Sequence, residues 1–309
     1  MESNQKKERE AVIDLELLDT EGINENSLNI DSMNIADVLK TINEEDKKVA
    51  QVIEEELPAI TRAVEAICPK IQVGGRLIYV GAGTSGRLGV LDASECPPTY
   101  GVEPGLVVGL IAGGEKALRY AIEGAEDDGE QAVKDLEAIR FTPKDALVGL
   151  AASGRTPYVL AALAYAKALG AVTVSVSCVK DAEVSQVAQY PIEAVVGPEV
   201  VTGSTRMKAG TAQKMILNMI STTLMIQAGK VYGNLMVDVQ ATNAKLIVRA
   251  ERIITTTTGL GKEEAKLLFE ESGHSVKTAI VMAKKKTSRR EAEALLEKHQ
   301  GRIARALTS

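Results

Sequence analysis

The sequence has few of the side chains that usually hold transition metals or form disulfides. Its 309 residues include three cysteines, Cys68, Cys96 and Cys178, and two histidines, His274 and His299. The cysteines are too few and too scattered for a disulfide framework, and with two histidines a zinc site is not expected. Both histidines lie far downstream of the motifs described below, so we expect them to be surface or packing residues.

Long apolar runs and an excess of positive charge are also missing. No run reaches the length of a membrane span, and the first ten residues are highly charged, unlike a signal peptide. The formal net charge is −6, which disfavours a nucleic-acid surface. The sequence therefore predicts a cytoplasmic protein that binds neither membranes nor nucleic acid.

The sequence does have the alternation of a parallel α/β fold. It is 45% apolar and 25% charged, which is ordinary for a globular protein. Near-continuous apolar runs predict strands near 76–80, 106–111, 146–151, 171–176 and 192–196. Helical patterns cover 43–67 with an interruption at Pro58, 115–124, 129–139, 157–169, 182–189 and 215–226. We expect a five-stranded parallel sheet sandwiched by helices.

Three regions follow from the composition along the chain. Residues 1–40 are polar, and they predict either an arm that packs on the body or on a partner subunit, or a partly disordered tail. Residues 41–237 hold the α/β domain, and four helical patterns over 238–309 predict a small helical subdomain. The arm and the Met-rich helix at 215–226 offer more apolar surface than one sheet needs, which favours a homodimer.

Residues 81–86, Gly-Ala-Gly-Thr-Ser-Gly, stand between a predicted strand and a predicted helix. Glycine lets the backbone approach a ligand, and the free N–H groups of a helix N-terminus favour negative charge. The hydroxyls of Thr84 and Ser85 can donate further hydrogen bonds. We name this stretch the first phosphate loop.

The same glycine spacing fits a dinucleotide fingerprint, or simply a tight turn, but a second loop favours phosphate. A dinucleotide site needs an acidic residue about 20 residues on, and Glu115 comes late, behind two more glycines. Residues 152–157, Ala-Ser-Gly-Arg-Thr-Pro, repeat the hydroxyl chemistry after another strand, and we name them the second phosphate loop. Neither loop has the Gly-Lys-Ser/Thr of an ATP-binding P-loop. The two loops predict a compact phosphate site formed by Gly83, Thr84, Ser85, Ser153, Gly154 and Thr156.

A third polar stretch, 202–211, precedes the long apolar helix. The helix is more typical of core than of a cofactor site. Its N-terminus could nevertheless present Ser204, Arg206 or Lys208 to an anion, and we include Ser204 and Lys208 among the predicted substrate-binding residues.

Catalysis at these loops would depend on carboxylates, because both histidines are distant in the sequence. Glu95 stands at the far end of the helix that starts in the first phosphate loop, and Pro97 and Pro98 fix the chain after it. Glu126 belongs to an acidic cluster over 123–128. Such a cluster is usually a solvated face. Alternatively one member turns inward to pair with Glu95, and two carboxylates could then divide the acid and base roles.

Three stretches, 81–101, 152–156 and 201–210, closely resemble the N-acetylmuramic acid 6-phosphate etherase family of sugar-isomerase-type (SIS) domain proteins. Residues 92–101, Asp-Ala-Ser-Glu-Cys-Pro-Pro-Thr-Tyr-Gly, are far more specific than the glycines. The resemblance extends from Ile35 to the C-terminus. The related glucokinase regulatory protein shares parts of these motifs in a binding role.

The resemblance implies an SIS-type fold, a homodimer and cleavage of the D-lactyl ether of a 6-phosphorylated sugar without a cofactor, in cell-wall amino sugar recycling or catabolism. It also implies that Glu95 and Glu126 match the two catalytic glutamates. We assign Glu95 as the acid and Glu126 as the base, although the roles could be reversed. An aldose–ketose phosphosugar isomerase and a non-catalytic phosphosugar sensor remain alternatives.

Overall fold

The computed structural model describes residues 20–239, 241 and 243–309. Residues 1–19, nearly half of the predicted arm, lie outside the described residues. Residues 20–34 contain two 3-10 helices, Glu25–Ser27 and Ile30–Ser32. They lie against the body, where Asn24 Nδ2 donates to the Pro198 carbonyl at 3.0 Å.

Helix α1, Ile35–Gln72, runs without a break through Pro58 and Pro69. Asn34 caps it, since its side chain accepts from the Asp37 N–H at 3.0 Å. The predicted interruption at Pro58 was wrong. Ile53 and Ile60 are buried on either side of that residue, and this packing outweighs the roughly 3 kcal/mol that a proline costs inside a helix.

The five predicted strands form one parallel sheet in the order β2-β1-β3-β4-β5, which confirms the predicted fold class. The strands are β1 Leu77–Gly81, β2 Val107–Ile111, β3 Ala146–Leu150, β4 Val172–Ser177 and β5 Tyr190–Glu193. The last begins two residues before its predicted start at 192 and ends at Glu193. β1 and β3 are buried throughout, because helices cover both faces.

Helices α1, α2 and α6 pack on one face of the sheet, and α3, α4 and α5 pack on the other. Their bounds are α2 Gly83–Tyr100, α3 Gly129–Ala138, α4 Pro157–Ala168, α5 Glu183–Val187 and α6 Lys208–Gln227. Helices α3, α4 and α5 confirm three predictions. Helix α2 does not end before its prolines, as the sequence suggested, but continues to Tyr100, and Gly101 closes it with a positive φ of 61°.

The helix predicted over 115–124 does not form. A 3-10 helix covers Gly114–Leu118, and another covers Ala125–Asp127. Gly113 and Gly124 have positive φ angles of 84° and 71°. The backbone therefore leaves the helical path close to both ends of the segment, which the apolar spacing alone did not reveal.

The C-terminal part, as far as the structure describes it, holds a short antiparallel hairpin and five helices, where four were predicted. The elements are β6 Val231–Tyr232, β7 Leu235–Met236, α7 Ala244–Thr258, α8 Lys262–Glu271, α9 Val276–Lys285, α10 Arg289–Lys298 and α11 Ile303–Thr308. Positive φ angles at Gln300 and Gly301 follow the end of α10, so the last of the four predicted helical patterns, which includes Leu295, Leu296 and Ile303, spans two helices. These helices share their own apolar core, in which Phe269 and Ile280 are fully buried. The domain bounds 1–40, 41–237 and 238–309 stay predictions.

The two histidines lie in this helical part. The His274 ring packs edge-on against Phe269, with ring centroids 5.2 Å apart. His299 is half-buried after the end of α10. None of the helices in the described ranges is long and apolar enough to cross a membrane.

A buried ion pair joins α1 to α6. Lys208 Nζ lies 2.6 Å from Glu45 Oε2, and the two side chains are only 2% and 3% exposed. Glu199, also buried, accepts from the backbone N–H groups of Lys208 and Ala209 at 3.0 Å each, so it caps α6. These contacts fix the start of α6 against α1.

Burial by itself would raise the pKa of Glu45, but hydrogen bonds from Lys208, Lys48 and Asn26 outweigh it and lower the pKa from 4.5 to about 2. A carboxyl whose folded pKa is lowered stabilises the fold above its unfolded pKa, and the contribution is lost as the pH falls through the folded value.

We predict that Glu45→Gln lowers the free energy of unfolding at pH 7 by about 3–5 kcal/mol, because it leaves the Lys208 charge buried without its partner. The difference from the parent should shrink as the pH falls from about 4.5 toward about 2. Urea denaturation at several pH values measures it. The matched control is Glu44→Gln, which removes an exposed pair with Lys47 and should change little. Equal effects of the two substitutions would contradict the prediction.

Candidate active site

The two phosphate loops lie side by side at the carboxyl edge of the sheet. Gly81, the last residue of β1, is paired with Leu150, the last residue of β3. Helices α2 and α4 begin just after these strands, so their N-terminal N–H groups lie at the same edge, where open α/β sheets bind ligands. The predicted phosphate-binding residues therefore lie on two adjacent loops.

The N-terminus of α6 completes this group. A Cβ added to Gly210 would lie 3.4 Å from Thr84 Cγ2, so α6 abuts the first phosphate loop. Ser85 is 7% exposed, and its hydroxyl donates to Gln213 Oε1 at 2.8 Å. Ser85 therefore ties the loop to α6, and its proton is not free for a ligand in this arrangement.

The other predicted hydroxyls are more open. Thr84, Ser153, Thr156 and Ser204 are half-buried. Gly154 is buried with a positive φ of 73°, and a Cβ there would lie 2.5 Å from Ala182 Cβ. Only glycine fits such a turn. The second loop can therefore present its hydroxyls and N–H groups while it stays close to the body.

Lys208, a predicted substrate-binding residue, directs its ammonium to Glu45. This favours a role in holding α6, and direct contact with substrate stays a prediction. Sequence patterns gave no sign of the pair, because Glu45 is one of several acidic residues along α1.

Glu126 lies beside the first phosphate loop. Its exposed side chain belongs to the 3-10 helix Ala125–Asp127. It lines a cavity of about 220 Å³ together with Gly83, Arg87, Tyr120 and Glu123. The structure thus brings together one predicted catalytic glutamate and one predicted phosphate-binding residue.

Glu95 lies in a different cavity, of about 290 Å³, with Asp92, Lys214 and Asn218. It is exposed, and it lies about 18 Å along α2 from Gly83, at 1.5 Å per residue. The described chain does not bring Glu95 into the Glu126 cavity. The pairing of the two carboxylates in one site stays a prediction.

Sequence reasoning missed the role of Asp92. This buried carboxylate accepts from the Tyr79 hydroxyl at 2.9 Å, from Asn218 Nδ2 at 2.8 Å and from the Ser221 hydroxyl at 3.1 Å. Burial, and then the Asp92 charge, raise the pKa of Tyr79 well above its usual value. Asp92 thereby joins β1, α2 and α6 next to the Glu95 cavity. The only signal in the sequence was a carboxylate three residues before Glu95.

Two of the cysteines are unsuited to nucleophilic chemistry. Burial is the main cause that raises the pKa of Cys96 and of Cys178 to about 12. Thiolate, the reactive form, is therefore scarce at neutral pH. Within the described part of the chain, no group of three His, Cys, Asp or Glu side chains is arranged to hold a metal ion.

Comparison with known proteins agrees with these observations. Residues 59–167 match the family model described as the glucokinase regulatory protein N-terminal SIS domain. Among solved structures, a protein of Escherichia coli CFT073 aligns with a TM-score of 0.50 and 17% identity, over 65% of this chain and 97% of that one. That likeness supports the fold alone.

Two curated relatives match nearly the whole chain. N-acetylmuramic acid 6-phosphate etherase of Exiguobacterium sp. is 58% identical over 95% of this chain and 100% of its own length. The protein of the same name from Clostridium beijerinckii is 55% identical over 96% of this chain and 97% of its own. With identity this high over almost its full length, the chain belongs to the N-acetylmuramic acid 6-phosphate etherase family.

Proposed function

We propose that the protein cleaves the D-lactyl ether at C3 of N-acetylmuramic acid 6-phosphate, and releases N-acetylglucosamine 6-phosphate and D-lactate. It would serve the recycling or catabolism of cell-wall amino sugars. The near full-length identity to etherases carries this proposal. The adjacent phosphate loops and the carboxylate of Glu126 beside them supply suitable chemistry.

The chemistry needs only acid and base groups. In the open-chain sugar the C1 aldehyde activates the hydrogen at C2, and a carboxylate can remove it. The bond from C3 to the ether oxygen then breaks, and a carboxylic acid protonates that oxygen as lactate departs. Water adds across the double bond, with hydroxyl at C3 and a proton at C2. No cofactor is needed.

The 6-phosphate would bind to N–H groups of both phosphate loops and to hydroxyls of Thr84, Ser153 and Thr156. Ser85 would act indirectly, through its bond to Gln213. The net charge of the substrate phosphate suits two helix N-termini at one edge of the sheet.

We predict that Ser153→Ala weakens binding of N-acetylglucosamine 6-phosphate by about 10- to 150-fold. One lost hydrogen bond to a charged group is worth about 1.5–3 kcal/mol. Calorimetric titration measures the affinity. Ser94→Ala is the control, since in the described structure that exposed hydroxyl bonds only to the Leu91 carbonyl. An affinity of Ser153→Ala equal to that of the parent would show that the phosphate binds elsewhere.

In our proposal Glu126 is the base at C2 and Glu95 is the acid at the ether oxygen. The position of Glu126 in the same cavity as Gly83 supports the first role, because a phosphosugar held by the loop would extend into that cavity. The roles separate experimentally, because removal of the C2 hydrogen precedes departure of lactate.

The parent protein should release D-lactate from N-acetylmuramic acid 6-phosphate and exchange the C2 hydrogen with solvent deuterium. Glu126→Gln should lower both rates by about 10²–10⁴-fold, whereas Glu95→Gln should lower lactate release and retain some exchange. Lactate is measured enzymatically, and exchange by NMR.

The neighbouring amides Glu123→Gln and Asp127→Asn are the controls and should retain most activity. Exchange without lactate release in the parent would favour the isomerase alternative. Binding of the phosphosugar without either reaction would favour the sensor.

We also propose a homodimer in which each site takes the phosphate loops and Glu126 from one subunit and Glu95 from the other. The separate cavities of the two glutamates within one chain support this arrangement. A twofold dimer would bring each Glu95 to the partner's loops by the same contact.

Hybrid dimers test this arrangement. Glu95→Gln and Glu126→Gln chains carrying different tags are co-expressed, and the hybrid is isolated by both tags. One of its two sites then has both glutamates, so we expect about half of the parental turnover. Each variant alone, purified in the same way, is the control. Failure to capture a hybrid would refute the dimer, and an inactive hybrid would refute the shared site.

A further inference from the structure

Arg87 connects the first phosphate loop to the segment that precedes Glu126. It lies in the second turn of α2 and is half-buried. Its guanidinium donates to backbone carbonyls: Nη2 to Ala117 at 2.7 Å, Nε to Leu118 at 3.1 Å and, more weakly, Nη2 to Tyr120 at 3.5 Å. Among the described residues, no carboxylate lies within ion-pair distance of this side chain. Its charge is therefore directed at the backbone.

The segment 114–120 needs such donors. It forms a short 3-10 helix, and the end of a helix leaves carbonyl groups without partners in the chain. Gly113 and Gly114, with φ angles of 84° and 66°, lead into it and do not restrain it by side-chain packing. Arg87 thus donates hydrogen bonds to carbonyl groups that would accept from backbone N–H groups if the helix continued.

The hydrogen bonds from Arg87 bear on function because the 114–120 segment lies beside the cavity that contains Glu126. Arg87, Tyr120, Glu123 and Glu126 line the same cavity as Gly83 of the first phosphate loop. Glu126 follows this segment by six residues, so the distance from Glu126 to a substrate held by its phosphate at the loop would depend on where the segment lies relative to α2. Of the described side chains that line this cavity, Arg87 is the one basic group.

We propose that Arg87 is a positioning residue for the etherase reaction: it holds the 114–120 segment so that Glu126 reaches C2 of a phosphate-bound sugar. The proposal rests on the assignment of Glu126 as the base. The planar fork of arginine reaches several carbonyls at once, and the single ammonium of lysine does not. A positive charge at position 87 is therefore not enough to hold the segment, and the planar shape of the guanidinium is needed as well.

Two variants test the proposal. Arg87→Gln removes the charge and the fork, and Arg87→Lys keeps the charge. A displacement of about 1 Å can cost about 10²-fold in rate, so we expect kcat for lactate release to fall by about that factor in Arg87→Gln and by less in Arg87→Lys. C2 hydrogen exchange should fall in parallel. The affinity for N-acetylglucosamine 6-phosphate, the product, should stay within about threefold of the parent, since the phosphate loops are untouched.

Amide hydrogen exchange gives a readout that does not depend on catalysis. In both variants the amides of residues 115–126 should exchange faster than in the parent, while those of β1 and β3 keep their protection. Arg119→Gln is the matched control, because it replaces an exposed arginine of the same segment that makes no side-chain hydrogen bond within the described chain. It should match the parent in rate, affinity and amide exchange.

Three results would overturn the proposal. One is parent-like kcat in Arg87→Gln. Another is weaker product binding in step with kcat, which would make Arg87 a phosphate ligand. The third is weaker substrate binding with unchanged product binding, which would make it a ligand of the lactyl carboxylate. If the parent itself releases no lactate, the proposed function fails, and amide exchange still decides whether Arg87 holds the segment. If Arg87→Gln does not fold, kcat, product affinity and amide exchange are compared between Arg87→Lys and the parent instead.

Discussion

The close approach of helix α2 to strands β1 and β2 determines where the functional groups lie. A Cβ at Gly86 would lie 2.7 Å from the Gly81 carbonyl oxygen, and one at Gly109 would lie 2.5 Å from Val90 Cα. The backbone of the helix is thus in contact with the backbone of the strands at these points. Because a backbone contact cannot repack as side chains do, α2 has one position on the sheet. Its N-terminus is fixed next to the end of β1, where the first phosphate loop begins.

Three predicted or proposed roles depend on this one helix. Its start forms part of the predicted phosphate site, Arg87 reaches from its second turn to the 114–120 segment, and Glu95 lies near its other end. Asp92 extends the same constraint to α6 through Asn218 and Ser221. A rigid helix that carries one group of the site at each end spaces them too far apart for one pocket. That spacing is the reason for proposing a site shared between two subunits.

Sequence reasoning was strongest where the physics is local. The strands were found because strands buried on both faces are continuously apolar, and the loops because a phosphate turn needs glycines and hydroxyls in one short stretch. It failed where distant contacts decide, and once where glycines within or next to the segment were overlooked. Pro58 stays helical because of packing on both sides, and residues 115–124 leave the helical path at glycines that the apolar spacing did not take into account. Glu45 and Lys208 form a pair that no local pattern contains. The assignment of Glu95 and Glu126 as the catalytic pair came from family resemblance and stays a prediction, and their separation into two cavities required the fold.

The buried pair between α1 and α6 also bears on the order in which the molecule is made. Glu45 precedes Lys208 by 163 residues. At about 5–20 residues per second, the ribosome needs roughly 8–33 s to cover that interval. During that time the carboxylate has no buried counter-charge, and the part of the α1 apolar face that packs on α6 has no partner. The first half of the nascent chain therefore depends on the second half, although all of its own strand and helix signals have already emerged.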